Sequence, residues 1–134
     1  MARLLLIEDD QTLRRALRIA LVKSGYEVVE AGDGHEGLLA FKAQPVDLVI
    51  TDLIMPEMEG VETIHALRQL SPFLPIIAIS GGGRGSPENY LHIAQKLGAA
   101  KAFAKPLEPS ELCAAVASLL GENDRGQNPP TAVG

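Results

Sequence analysis

The chain has a single cysteine, and it gives no sign of redox or metal chemistry. Cys113 falls in the series Leu112, Cys113, Val116, Leu119 and Leu120, whose spacing is helical, so a small buried apolar residue is expected there rather than a reactive thiol. Lys and Arg nowhere cluster and the net charge is -5, which argues against nonspecific binding to nucleic acid or acidic membranes and favours cations and basic surfaces as counterparts. No run approaches the roughly 18 apolar residues of a membrane-spanning helix, and the short stretch between Arg3 and Glu8 is too small for a signal-peptide core. A cytoplasmic location is expected. His35, His65 and His92 fall in separate helical segments with no second His or Cys at ligand spacing, so they are expected on solvated helix faces. The glycine-rich stretch Gly81-Gly82-Gly83-Arg84-Gly85-Ser86-Pro87 lacks the Lys of a P-loop and the third glycine of a dinucleotide fingerprint, and a mobile loop is expected instead.

What the chain does have is a regular alternation of strand-like and helical patterns. Its 134 residues, 46% hydrophobic and 22% charged, suit one globular domain, expected over residues 1–121, with a flexible tail over 122–134 that lacks apolar periodicity. Strands are expected at residues 3–8, Glu27 to Ala31, Asp47 to Thr51, Ile76 to Ile79 and Lys101 to Ala104. Helices are expected along the stripes Leu13, Ala16, Leu17, Ala20, Leu21; Leu38, Phe41; Val61, Ile64, Leu67; Tyr90, Ile93, Ala94, Leu97; and from Ser110 to Leu120. Ser24-Gly25, Pro45, Ser71-Pro72 and Gly98 punctuate them. Strand-helix units with apolar strands imply an α/β doubly wound domain, a parallel sheet covered by helices on both faces. In such sheets ligands bind beyond the carboxyl ends of the strands.

Those ends carry chemistry. Glu8 and Asp9 follow the first strand, Asp52 the third, Ser80 the fourth and Lys105 the fifth. Clustered carboxylates repel unless a cation joins them or one takes up a proton, and their hard oxygen atoms point to magnesium, which binds few protein carboxylates and leaves room for phosphate oxygens. Asp52 would then attack phosphorus, Lys105 would neutralise charge on the equatorial oxygens, and Ser80 would donate a hydrogen bond to one of them. Asp10 is better read as the N-cap of the first helix.

With the motifs Leu6-Ile7-Glu8-Asp9-Asp10, Asp52-Leu53-Ile54-Met55-Pro56, Ser80-Gly81, Gly98-Ala99 and Lys105-Pro106, the chain resembles the receiver domain of two-component response regulators over roughly residues 3–120. The resemblance implies a flavodoxin-like five-stranded sheet of order 2-1-3-4-5, with Asp52 as phosphoacceptor. It implies Mg2+ held by Asp9 directly, by Glu8 through water, by Asp52 and by the backbone carbonyl of Ile54. Ser80 takes the place of the hydroxyl that moves toward the phosphoryl group, Lys105 that of the family's lysine, and the Lys105-Pro106 bond is expected to be cis. A phosphohistidine on a sensor kinase or phosphotransfer protein would be the donor, and a stand-alone receiver of this kind would signal by protein contact. The alternative is a degenerate receiver acting as a phosphorylation-independent binding module.

One departure bears on that choice. Receivers often carry Tyr or Phe three residues before the lysine; here Ala102 stands there, and Phe103 should point the opposite way because strand side chains alternate. The positions flanking the path of attacking water, two beyond the phosphoacceptor and two beyond the hydroxyl, are Ile54 and Gly82, so slow hydrolysis of the phosphorylated form is expected. A haloacid-dehalogenase-like phosphatase would need a second Asp at Ile54. A flavin carrier would need a phosphate loop where the acids lie.

Overall fold

The computed structural model describes residues 1–53, 60–80 and 87–121. The strands are β1 (Arg3–Ile7), β2 (Glu27–Ala31), β3 (Leu48–Asp52), β4 (Ile76–Ser80) and β5 (Lys101–Ala104). They alternate with the helices α1 (Gln11–Lys23), α2 (Gly34–Ala43), α3 (Gly60–Leu70), α4 (Pro87–Lys96) and α5 (Pro109–Leu119). All neighbouring strands are parallel, in the order β2-β1-β3-β4-β5. The expected α/β class and strand order are both present. The expectations placed on Ile54, on Gly81 to Ser86 and on the tail 122–134 lie outside the described residues.

Strand order and handedness decide where the helices go. The chain moves outward from β1 to β2 and then reverses direction across β1 to β3, so right-handed crossovers place α1 on one face and α2, α3 and α4 on the other. Packing agrees: Leu17 and Leu21 of α1 and Leu112 and Val116 of α5 meet Leu4, Leu6, Leu48, Ile50, Ile77 and Ile79. Ile64 and Leu67 of α3 and Ala94 of α4 meet Leu5, Ile7, Val49, Ile76 and Ala78 on the opposite face. Each fully buried Leu or Ile adds about 2 kcal/mol. The edge strands β2 and β5 are less buried than β1, β3 and β4.

Local chemistry sets the helix ends. Asp10 Oδ1 accepts from the amides of Thr12 and Leu13, as an N-cap should, and Gly25 closes the other end of α1 at φ +100. Asp33 caps α2 through the Glu36 amide while Glu36 Oε1 accepts from the Gly32 amide, a reciprocal arrangement close to a capping box. At the opposite pole from the acids, Arg68 binds the carbonyls of Ser71, Pro72, Leu74 and Gly98, and burial depresses its pKa.

Several expectations need correction. β3 runs one residue later than Asp47 to Thr51, because Asp52 pairs with Ile79 and Leu53 N–H continues the ladder to the Ile79 carbonyl at 2.9 Å. Asp47 instead accepts from the Arg3 amide through its side chain. β1 ends at Ile7, β4 extends through Ser80, and α5 begins at Pro109, whose fixed φ suits a first helical turn. Cys113 is only half-buried, because it lies beside the line of Leu112 and Val116 rather than on it. Ala16 is exposed, so the buried line of α1 is the narrower Leu13, Leu17, Leu21. His35, His65 and His92 are all exposed, as expected.

Candidate functional site

The reversal of direction between β1 and β3 opens a crevice at the carboxyl edge of the sheet. Backbone hydrogen bonds beyond the strands hold its residues in place. Glu8 N–H bonds the Ala31 carbonyl at 3.0 Å, and Lys105 N–H bonds the Ser80 carbonyl at 2.6 Å. Asp52 and Ser80 are the last residues of β3 and β4. Continuous apolar strands thus deliver polar side chains to one edge.

Glu8, Asp9 and Asp52 each offer a carboxylate oxygen within 4.8 Å of the others. Glu8 and Asp52 are buried, whereas Asp9 faces solvent. Lys105 Nζ lies 2.7 Å from Asp52 Oδ2, 3.2 Å from Glu8 Oε1 and 3.4 Å from Glu8 Oε2, and only the Asp52 contact is a short hydrogen bond. Glu8 Oε2 accepts from the Asp10 amide at 3.1 Å. The closer approach to Glu8 Oε1 is a charge contact without hydrogen-bond alignment, and among the described residues neither that buried oxygen nor Ser80 Oγ has a hydrogen-bond partner. Orphaned buried polar atoms are uncommon and mark places where an ion, water or substrate oxygen belongs.

Electrostatics follow from this crowding. Burial, then the charge of Asp52, pushes the Glu8 carboxyl up to about 7, against the opposing pull of the Asp10 amide and Lys105. For Lys105 burial acts to lower the pKa, but the hydrogen bond and charge of Asp52, joined by Glu8, outweigh it and raise the pKa. The site is short of positive charge. Among the described residues, the ammonium of Lys105 contacts two of the three carboxylates, Glu8 and Asp52, and the donor set is all oxygen, with Glu8 Oε1 accepting no hydrogen bond. Such a set fits a hard divalent cation, and these acids could hold one.

All five described residues expected at the site lie at this edge: Lys105 contacts Glu8 and Asp52, the Asp9 carboxylate lies within 4.8 Å of both acids, and Ser80 ends the neighbouring strand β4. Ala102 and Phe103 point to opposite faces, Ala102 toward the core under α3 and α4 and Phe103 toward the core under α1 and α5. The Lys105-Pro106 bond is cis.

Two supporting residues went unread in the sequence. Arg14 Nη1 donates to the Glu8 carbonyl at 2.8 Å, a link that the helical stripe of α1 does not signal. Gly60, the first residue of α3, packs so tightly on β3 that a Cβ there would overlap the Asp52 carbonyl oxygen and Leu53 Cα. Its amide also bonds the Leu53 carbonyl at 2.9 Å. Backbone atoms cannot swing aside as a side chain can, so Gly60→Ala is expected to cost about 2–3 kcal/mol in chemical denaturation. An unchanged unfolding midpoint would show that the contact is relieved at no cost.

Comparison with known proteins gives a consistent result. The sequence model described as response regulator receiver domain matches residues 4–117. The alkaline phosphatase synthesis transcriptional regulatory protein PhoP of Bacillus subtilis (strain 168) is 29% identical over 122 residues, 91% of this chain and 50% of that protein. The response regulator receiver protein CpdR of Brucella abortus (strain 2308) is 40% identical over 81 residues, 60% of this chain and 68% of that protein. The chain spans about half the length, or less, of the first curated relatives it matches. Among solved structures, the Vibrio cholerae chemotaxis protein CheY4 superposes with TM-score 0.78 at 32% identity, covering 88% of this chain and 98% of that one. A CheY-like receiver domain protein from Methanospirillum hungatei JF-1 does so with TM-score 0.82 at 28% identity, covering 94% and 98%.

Proposed function

We propose, from the premise that the chain belongs to the family of response regulator receiver domains, that it accepts a phosphoryl group on Asp52 from a phosphohistidine of a sensor kinase or phosphotransfer protein. An Asp52 oxygen forms the new P–O bond as the P–N bond breaks, and the departing imidazole keeps the bonding pair and takes a proton from solvent. Glu8, Asp9 and Asp52 would hold Mg2+, together with the carbonyl of Ile54, which lies outside the described residues, and the ion would neutralise phosphoryl charge. Lys105 orients and neutralises a phosphoryl oxygen, and Ser80 Oγ, buried and without a hydrogen-bond partner among the described residues, donates to another.

The observation that carries this reading is the short Lys105–Asp52 contact of 2.7 Å inside a three-carboxylate cluster at the end of β3. No helix among the described residues is long and apolar enough to cross a membrane. The proposed receiver works in the cytoplasm, where its kinase or phosphotransfer donor is found, and signals by protein contact. Intact-mass measurement after incubation with a small phosphodonor tests the proposal. A gain of one phosphoryl group that needs Mg2+ supports it, and no gain with any donor overturns it.

Ala102, with no ring to relocate, favours one second reading: a binding module whose surface does not respond to the acid cluster. Labelling without any change in amide hydrogen exchange would favour that module. Lys105→Ala separates the roles within the site. It is expected to retain Mg2+ binding while phosphorylation slows by about tenfold or more, because the ammonium acts on phosphoryl oxygens. Normal labelling kinetics in this variant would remove Lys105 from the mechanism.

A further inference from the structure

Glu8 and Asp9 are adjacent in the chain, so the single peptide unit between them sets how their carboxylates face each other. The carbonyl of that unit belongs to Glu8, and it accepts from Arg14 Nη1 at 2.8 Å. Arg14 itself is held from the other side. Its Nε donates to Glu30 Oε1 at 3.2 Å, and Glu30, on β2, also pairs with Arg18 Nε at 3.1 Å. The Arg14 side chain is only 19% exposed, and its Nη1 lies beside Gly32, 3.4 Å from where a Cβ there would sit. Arg14 and Asp9 line the same cleft of about 330 Å³. The amide of Glu8 is tied to β2 through the Ala31 carbonyl, so with Arg14 both backbone groups of Glu8 are fixed from the β2 side.

We infer that Arg14 is a positioning residue for the acid pair, fixing the Glu8–Asp9 peptide so that both carboxylates are presented to a divalent cation. The inference rests on the metal-binding part of the proposed function. Its sign is distinctive. A guanidinium near a cation site repels the cation, so charge removal alone would tighten Mg2+ binding. Loss of an orienting hydrogen bond behind the ligands weakens it, commonly by tenfold or more.

The test is Mg2+ titration calorimetry of the full chain beside Arg14→Met, with amide hydrogen exchange of the metal-free proteins as a second readout. Arg14→Met is expected to bind Mg2+ about tenfold more weakly, with faster exchange at the Asp9 amide and unchanged exchange within α1. Arg14→Lys, which keeps the charge but not the fork of donors, is expected to fall between the two and serves where the Met variant does not fold. Wild-type binding of Mg2+ with equal or tighter binding by Arg14→Met overturns the inference alone. Wild-type protein that binds no Mg2+ overturns the functional reading and this role together. Uniformly faster exchange with unchanged affinity assigns Arg14 to stability only and also overturns it.

Discussion

Asp52→Asn is expected to take up no phosphoryl group from any donor, with Mg2+ present or absent. An amide oxygen at the end of β3 is a poor nucleophile toward phosphorus, and the neighbouring acids do not replace it: Asp9 is solvent-facing, and the Glu8 carboxyl is pushed up to about 7, so it is partly protonated at neutral pH. The substitution has a second consequence. Asp52 is the larger electrostatic cause of the Glu8 shift after burial, and it holds Lys105 at 2.7 Å. With that charge gone and Lys105 free to pair with Glu8, the Glu8 pKa should fall toward the usual carboxylate range. Carboxyl-carbon NMR titration reads this directly. Labelling that persists in Asp52→Asn would place the acceptor elsewhere, and an unmoved Glu8 titration would mean that burial alone sets its pKa.

The elements were legible in the sequence because each repeats one local pattern. β2 and β5 have the bounds their apolar runs indicate, and Asp10 caps α1 as its position before the helix requires. The site was legible for a related reason: in a parallel sheet the residue after each strand goes to the same edge, so Glu8, Asp9, Asp52, Ser80 and Lys105 could be grouped without knowing any distance. What escaped depends on contacts between elements. β3 gains Asp52 through pairing with Ile79 on another strand. Arg14 lies off the apolar stripe of α1, and nothing local indicates that it reaches both the Glu8 carbonyl and Glu30 on β2. Gly60 carries a close-approach constraint visible only once α3 is laid on β3. The ionisation of Glu8 was likewise hidden, since it follows from how deeply β1 carries that carboxyl into the crevice.

That ionisation gives the second large effect. In metal-free protein, Glu8→Gln is expected to be more stable than wild type at pH 8 by about 3 kcal/mol, with the difference vanishing near pH 4. The folded-state pKa of Glu8, about 7, lies above the ordinary glutamate value of 4.5. Below pH 4.5 the carboxyl is protonated in both folded and unfolded chains and imposes no penalty. Between pH 4.5 and 7 the unfolded chain releases its proton while the folded chain keeps it, so folded wild type loses stability as pH rises; above 7 the full cost of a buried anion beside Asp52 remains. Gln keeps the shape and can still accept from the Asp10 amide, but it does not titrate. Carboxylates remote from the cluster are common to both proteins and cancel in the difference. Saturating Mg2+ should reverse the order at pH 8, because a bound cation stabilises only the ionised cluster. Denaturant titrations of both proteins from pH 4 to 8, with and without Mg2+, measure the effect. A difference independent of pH would mean that Glu8 ionises normally, and stabilisation of both proteins alike by Mg2+ would mean that Glu8 is not among the groups that hold the ion.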